Sequence, residues 1–216
     1  TGLIVPMAAI FTRTRAREML GSWTFGAVSG LLSIALGVAT WNQAHIYKSE
    51  KTLWEDTIAK NPGSWLARSG SANVLLREEL VDEAIREYKA SLEIRPEYGA
   101  YYNLGNALLR KGNVTAAISC FRNALILKPA YVEAHYNLGN TLMSTGEIDE
   151  AITHFQEAIR LRPGESGAYN NLANAMAKLG RLDEAIESYR KAIERRPDYP
   201  QAHFNLGVVL LTAGNL

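Results

Sequence analysis

The sequence predicts an all-α chain, a solenoid of paired helices preceded by a transmembrane helix. Three observations predict it. Five prolines recur every 33 or 34 residues, small and aromatic residues return at fixed distances from them, and an uncharged apolar stretch lies near the N-terminal end. A fixed period of this length is typical of architectures in which each unit packs only against its neighbours.

Composition and charge exclude several classes of partner and site. The 216 residues include 23 basic and 22 acidic side chains, a net charge of +1, so no overall basic field favours nucleic acid. Cys120 is the only cysteine, which excludes an internal disulfide. No His–Asn pattern accompanies it, as a nucleophilic cysteine would require. We therefore interpret Cys120 as a small buried apolar residue.

The uncharged stretch is long enough to cross a membrane. Residues 19–47 contain no Asp, Glu, Lys or Arg, and residues 19–41 are rich in Leu, Ile, Val, Ala and Gly. As a helix, residues 19–41 extend about 34 Å at about 1.5 Å per residue, against a hydrocarbon core of about 30 Å. Trp23 and Trp41 lie near the two ends, where amphipathic rings favour the interface. We predict a transmembrane helix over residues 19–44 that contacts the lipid bilayer through residues 19–41. A buried helix of a soluble core is the alternative.

The residues before this helix indicate its orientation. A shorter apolar stretch, residues 3–11, precedes Arg13, Arg15 and Arg17. We interpret residues 1–18 as the end of an earlier membrane helix and an Arg-rich cytoplasmic loop, because positive loops stay on the cytoplasmic side. The protein is then an integral membrane protein, and everything after Trp41 is extracytoplasmic, either periplasmic or lumenal. Because the chain starts at Thr1 and stops inside a repeat, we expect it to be a segment of a longer protein.

The prolines set the register of the repeat. They are Pro62, Pro96, Pro129, Pro163 and Pro197. The first half of each unit shares an Asn-Leu-Gly or Asn-Leu-Ala core, found in Tyr102-Asn103-Leu104-Gly105-Asn106, Tyr136-Asn137-Leu138-Gly139-Asn140, Asn170-Asn171-Leu172-Ala173-Asn174 and Phe204-Asn205-Leu206-Gly207. The second half carries an alanine, then an aromatic residue four positions later, then a small residue three positions after that. These residues are Ala84, Ala117, Ala151 and Ala185; Tyr88, Phe121, Phe155 and Tyr189; and Ser91, Ala124, Ala158 and Ala192.

This pattern resembles the tetratricopeptide-repeat (TPR) family from about Ser49 to the C-terminus. The resemblance implies a right-handed superhelical solenoid of helical hairpins. Four full units are expected over residues 65–98, 99–131, 132–165 and 166–199. They form a TPR domain over residues 65–216 that ends with a partial unit at 200–216. A connecting helix or half repeat over residues 45–64 precedes it, with Trp54 at the aromatic position.

The turns inside the hairpins follow the same register. Glycines allow the chain to turn between paired helices; they are Gly112, Gly146, Gly180 and Gly214. Short polar residues just after the turns are expected to cap the second helices; they are Asp82, Thr115, Asp149 and Asp183. The unit at 65–98 departs from the pattern with Glu79 at the turn and Ser71 in place of leucine. This departure indicates an end unit.

Asparagines mark a candidate binding groove on the first helices. They recur three residues apart, which places each pair on one helical face. The row consists of Asn73, Asn103, Asn106, Asn137, Asn140, Asn171, Asn174 and Asn205. An amide both donates and accepts, so such a row can bind a peptide backbone. The row is similar to the asparagine ladder in the repeat superhelix of O-GlcNAc transferase, which implies an extended polypeptide or protein partner. The alternative is that these asparagines hydrogen-bond between neighbouring helices.

Aromatic and basic residues are further groove candidates, since both types are favoured anchors at protein interfaces. They are Tyr102, Tyr136, Phe204, Arg77, Arg110 and Lys178. For the three basic residues, solvated helix surface is the alternative. The TPR class that clamps chaperone carboxylates carries a lysine immediately before the first groove asparagine. Tyr102 and Tyr136 stand at that position here, which disfavours a chaperone clamp.

Signals for catalysis are missing from the sequence. It has no Gly-rich phosphate loop, no His-x-x-x-His pair and no nucleophile elbow. His135 and His203 occupy equivalent places two units apart, too far to share a metal. We therefore expect no catalytic residue, metal or cofactor in this segment.

The junction between span and repeats indicates what the longer protein is. Tyr47, Ser49-Glu50, Leu53-Trp54 and Asn61-Pro62 resemble the corresponding junction of the transmembrane-and-TPR family and its bacterial relatives. That resemblance implies a many-spanning glycosyltransferase-C domain of the protein O-mannosyltransferase type, with the repeats presenting the acceptor. A membrane-anchored assembly or secretion scaffold without an enzyme is the alternative.

Overall fold

The computed structural model describes Leu36 and residues 49–214. Residues 49–214 form ten helices and contain no strand. The helices are α1 (Glu50–Lys60), α2 (Trp65–Arg77), α3 (Val81–Ile94), α4 (Tyr98–Arg110), α5 (Val114–Leu127), α6 (Val132–Thr145), α7 (Ile148–Leu161), α8 (Ser166–Lys178), α9 (Leu182–Arg195) and α10 (Pro200–Thr212). The prediction of an all-helical chain is confirmed for this part of the chain.

The chain divides into two compact units, residues 1–53 and residues 54–216. Of the first unit, the described residues are Leu36, which is helical and exposed, and residues 49–53, of which residues 50–53 begin α1. The predicted loop at 1–18 and, apart from Leu36, the predicted transmembrane helix at 19–44 lie outside the described residues. Among the helices that are described, none has the length and apolar character needed to cross a bilayer.

The second unit is built from stacked hairpins. Helices α2 and α3, α4 and α5, α6 and α7, and α8 and α9 pack as antiparallel neighbours joined by short turns. Each second helix then contacts the first helix of the next hairpin, and α6, α8 and α10 also contact one another in sequence. First helices therefore lie beside first helices, which brings equivalent side chains of successive repeats together.

Small residues let the core aromatic rings approach the first helices. Phe121 and Phe155 are fully buried. A Cβ added to Gly105 would lie 2.6 Å from the Phe121 ring, and one added to Gly139 would lie 2.7 Å from the Phe155 ring. These contacts leave no room for a side chain, so the sequence requires glycine at both positions. The Trp54 ring likewise lies against Gly70, where an added Cβ would be 2.4 Å from the ring.

The turns inside the hairpins use left-handed backbone. Gly112, Gly146, Gly180 and Gly214 have φ angles of +82°, +89°, +74° and +70°. Among the described non-glycine residues, Glu79 alone has a positive φ, at +61°. It stands where the other units have glycine, so this hairpin keeps the turn geometry without the residue that adopts it at least cost.

The predicted helix caps were wrong by two positions. Asp82, Asp149 and Asp183 are the second residues of α3, α7 and α9, and Thr115 is the second residue of α5. Only one residue separates the left-handed turn from the helix, so the helix begins before the aspartate. The N-cap residues are Leu80, Asn113, Glu147 and Arg181. Of these, Asn113 caps through its side chain, accepting from the Ala116 amide at 3.3 Å. The aspartates instead place negative charge in the first turn, where the helix dipole favours it.

Candidate functional site

The predicted asparagines meet in four pairs, each joining the first helices of two successive repeats. In every pair the Nδ2 of the later asparagine donates to the Oδ1 of the earlier one. The pairs are Asn103 to Asn73 at 3.1 Å, Asn137 to Asn106 at 2.9 Å, Asn171 to Asn140 at 2.7 Å and Asn205 to Asn174 at 3.1 Å. We call this row the asparagine ladder. It hydrogen-bonds α2, α4, α6, α8 and α10 in order.

A tyrosine hydroxyl joins each pair of the ladder. At the two inner pairs the hydroxyl accepts: Asn137 Nδ2 lies 3.1 Å from the Tyr102 hydroxyl, and Asn171 Nδ2 lies 3.0 Å from that of Tyr136. At the two outer pairs the hydroxyl donates. The bonds run from Tyr88 to Asn73 Oδ1 at 2.5 Å and from Tyr189 to Asn174 Oδ1 at 2.6 Å. Burial raises the pKa of Tyr88 and of Tyr189 to about 12, so both keep their protons.

Each repeat supplies its ladder tyrosine from either its first or its second helix. The inner repeats carry it in the first helix and combine it with glycine and a core phenylalanine: Tyr102 with Gly105 and Phe121, and Tyr136 with Gly139 and Phe155. The outer repeats carry it in the second helix and combine it with alanine: Tyr88 with Ala72, and Tyr189 with Ala173. The sequence prediction missed Tyr88 and Tyr189 as ladder residues. The available signal was that the aromatic position holds Tyr in the two outer repeats and Phe in the two inner ones.

Several ladder atoms remain available to a ligand. Among residues 49–214, nothing accepts from Nδ2 of Asn106 or Asn140, and nothing donates to Oδ1 of Asn137. Asn171 Oδ1 already accepts from Asn170 Nδ2 at 3.0 Å. The ladder asparagines of α4, α6, α8 and α10 are half-buried, and Asn73 is exposed. The ladder therefore both holds the repeats together and offers amide donors and acceptors at its surface.

An open cavity lies beside the C-terminal end of the ladder. It measures about 620 Å³ and is lined by Met143 of α6, Ala177 and Lys178 of α8, and Phe204 and Val208 of α10, together with Asn174 and Asn205 of the ladder. Phe204 is 71% exposed. The cavity combines apolar walls with amide groups and one ammonium, which suits a polypeptide side chain.

The predicted basic candidates have different surroundings. Lys178 is exposed and lines the cavity. Arg110 donates from Nη1 to the Leu76 carbonyl at 3.2 Å, so it caps the end of α2 from the next repeat. Arg77 is the last residue of α2 and is exposed. Lys178 is therefore the basic residue whose position fits ligand contact best.

The histidine prediction missed a partner. His135 is buried, and its Nδ1 lies 2.9 Å from Nδ1 of His154, while its Nε2 lies 2.9 Å from the Pro129 carbonyl. Burial first, and then the neighbouring His135, lower the pKa of His154. In the described part of the chain, no three His, Cys, Asp or Glu side chains are grouped to hold a metal ion. Cys120 is buried, as predicted, and burial raises the pKa of its thiol.

Family models match most of the repeat region. A model described as "Tetratricopeptide repeat" matches residues 35–98 and 102–166, which together exceed half of the chain. The chain belongs to the tetratricopeptide-repeat family. Further TPR models match residues 146–188 and 177–214. The first match begins at residue 35, so the family pattern overlaps the end of the predicted membrane span.

Solved TPR structures share the fold. MamA is 28% identical, with a TM-score of 0.64 over 67% of this chain and 85% of that one. YrrB, described as a TPR protein with an unusual peptide-binding site, is 22% identical, with a TM-score of 0.66 over 80% and 87%. A MamA segment from Desulfovibrio magneticus RS-1 is 21% identical, with a TM-score of 0.65 over 77% and 87%. No curated protein matches the sequence.

Proposed function

We propose that this TPR protein binds an extended polypeptide along the face that carries the asparagine ladder. The observation that carries the proposal is the repetition of one hydrogen-bonding unit across four helix–helix interfaces. A ligand that meets the same groups at every repeat must itself be periodic. The peptide backbone is periodic and presents one donor and one acceptor per residue.

The chemistry of the ladder favours main-chain over side-chain recognition. Its available groups are neutral amides, and they include both donors and acceptors. The cavity beside Lys178 supplies an apolar contact at one end, where a ligand side chain can add affinity and direction. YrrB, which shares the fold, is described as having a peptide-binding site, and this precedent supports the same class of ligand.

Photocrosslinking tests the location of binding. A peptide selected from a random 12-residue display library serves as the probe, and benzoylphenylalanine is placed at Lys178 or, as the control, at Lys191. Lys191 lies on the second helix α9, where it pairs with Glu187 at 2.5 Å. We expect crosslinks from position 178 and none from position 191. Failure to select any peptide, or crosslinks from position 191 alone, would reject the proposal.

We further propose that residues 19–41 anchor the protein in a membrane, with the repeats extracytoplasmic. The proposal is supported by the uncharged stretch, by Trp23 and Trp41 at its ends, and by the arginines that precede it. Alkaline extraction of membranes containing the full chain tests the anchor. Protease added outside spheroplasts, where the outer face of the membrane is extracytoplasmic, tests the orientation. Release by alkali, or protection of the repeats from external protease, would contradict it.

The resemblance of the junction between the predicted span and the repeats supports the proposal that the longer protein is a membrane glycosyltransferase. Its TPR domain would then present the acceptor polypeptide. A scaffold without an enzyme is the second candidate. The full-length reading frame separates them. Many membrane spans upstream of Thr1, with acidic residues in their loops, would support the transferase. One or two spans would support the scaffold.

A further inference from the structure

The ladder tyrosines use their hydroxyl hydrogens differently at the inner and outer pairs. At the outer pairs, the hydroxyls of Tyr88 and Tyr189 donate to Asn73 and Asn174. At the inner pairs, Tyr102 and Tyr136 accept from an asparagine and so retain a hydrogen to donate. Within residues 49–214, no atom accepts it.

The inner tyrosines are also accessible. Tyr102 and Tyr136 are partly exposed on the first helices, whereas Tyr88 is fully buried and Tyr189 is 2% exposed. Phe121 packs under Tyr102, with ring centroids 5.9 Å apart, and Phe155 packs under Tyr136 at 6.2 Å. These contacts and the asparagine hydrogen bond fix the position of each hydroxyl. A donor fixed in place before the ligand arrives loses little entropy on binding.

We infer that the Tyr102 and Tyr136 hydroxyls donate hydrogen bonds to two main-chain carbonyl oxygens of a bound polypeptide, one in each inner repeat. This inference rests on the proposed function. The amide donors of Asn106 and Asn140 lie in the same two interfaces and complete each subsite. Because every donor in the subsites is neutral, a peptide carbonyl fits them better than a phosphate or carboxylate, which proteins usually bind with cations.

The four tyrosines provide a matched experiment on the full chain. The probe is the library-selected peptide, labelled with fluorescein, and its affinity is measured by anisotropy. Y102F and Y136F remove the donors assigned to the ligand. Y88F and Y189F remove donors used inside the protein, and the chain itself accepts phenylalanine at the equivalent positions 121 and 155. Urea denaturation of every variant separates lost binding from lost stability.

We expect Y102F and Y136F each to weaken peptide binding about twofold to tenfold, the range for one net hydrogen bond. Y88F and Y189F are expected to lower stability and to weaken binding less than Y102F and Y136F do, because their buried hydroxyls donate to Asn73 and Asn174 inside the protein. Equal losses of affinity in all four variants, or none in Y102F and Y136F, would overturn the inference. If wild type still crosslinks the peptide through position 178, the proposed function survives that result. If no peptide is selected, both fail.

A peptide with one backbone ester adds a readout that a structural role would not change. An ester carbonyl is a weaker acceptor than an amide carbonyl. An ester at the bond that Tyr102 contacts should weaken binding to wild type more than binding to Y102F. Equal effects on both proteins at every ester position would contradict a bond between the hydroxyl and a carbonyl.

Discussion

The side-chain nitrogen of Asn137 lies 2.9 Å from the side-chain oxygen of Asn106, a hydrogen bond that joins α6 to α4 across 31 residues of sequence. Its equivalents recur at every interface between first helices from α2 to α10. Repeat proteins derive much of their stability from interfaces between neighbours. The ladder is therefore a structural element in addition to a candidate binding site.

Replacement of Asn137 by alanine is expected to cost about 1–2 kcal/mol of unfolding free energy, because Asn106 Oδ1 and the Tyr102 hydroxyl both lose their donor. Urea denaturation measures the cost. The control is N123A, at an exposed asparagine of α5 outside the ladder, for which we expect a change within about 0.5 kcal/mol. Equal stability of N137A and wild type would show that the bond contributes nothing.

Replacement of Gly139 by alanine is expected to destabilise the protein by about 1–3 kcal/mol, because the new Cβ would lie 2.7 Å from the Phe155 ring. Gly207 occupies the equivalent place in α10, and there a Cβ meets nothing within 4 Å. G207A is therefore expected to be neutral or to gain up to about 1 kcal/mol from helix propensity. Thermal or urea unfolding compares the two. Similar effects at both glycines would contradict the packing argument.

Replacement of Glu79 by glycine is expected to stabilise the protein by about 0.5–1 kcal/mol, because φ at this residue is +61°. The adjacent Glu78 has φ of −82°, so E78G gains nothing from relieved backbone strain. We expect E78G to lower stability slightly through chain entropy. A loss of stability in E79G, measured as the urea midpoint, would contradict this account of the turn.

Acid is expected to destabilise the fold through His154. Burial and His135 hold the pKa of His154 below its ordinary value of 6.5. As pH falls below 6.5, the unfolded chain binds a proton that the folded chain does not, so stability drops by at most about 1.4 kcal/mol per pH unit. The drop continues until pH reaches the lower folded pKa. Urea denaturation between pH 7.5 and about 5 measures the slope.

The variant H154Q should lose this dependence, while H203Q should keep it. His203 is exposed and bonds the Pro197 carbonyl at 2.9 Å. The carboxyl of Glu150, whose pKa Arg122 lowers, contributes at lower pH and remains in both variants. If the unfolding free energy of H154Q still falls with pH as steeply as that of wild type, at pH values above those at which carboxyls titrate, another group causes the loss of stability.

The repeat register could be predicted from sequence because its signals are local. Proline, turn glycine and the small residues facing Phe121 and Phe155 each answer a steric demand at a fixed distance along the chain. The caps failed because the turn glycine leaves one residue before the helix, a count that the alignment alone did not give. The basic candidates could be told apart only from the structure. Arg110 donates a hydrogen bond to the Leu76 carbonyl, whereas Lys178 lines the cavity.

The direction of the ladder hydrogen bonds could not be predicted, because it depends on contacts between residues 15 to 35 positions apart. An asparagine in one helix has the same appearance in sequence whether it bonds a neighbour or a ligand. The hydroxyl of Tyr88 reaches Asn73 only after the hairpin has formed. In sequence, a tyrosine on the first helix of one repeat and one on the second helix of another look unrelated. The hydrogen bonds show that both reach the same asparagine pairs.

We propose that the first helices bind an extended polypeptide through the ladder. An amide-resolved NMR titration with the selected peptide tests this binding at single residues, because asparagine side-chain NH₂ groups give their own signals. We expect the signals of Asn106 and Asn140 to shift on binding, and that of the control Asn123 on α5 to stay unchanged. Shifts confined to Asn123 and the second helices, with the ladder signals unmoved, would contradict the claim.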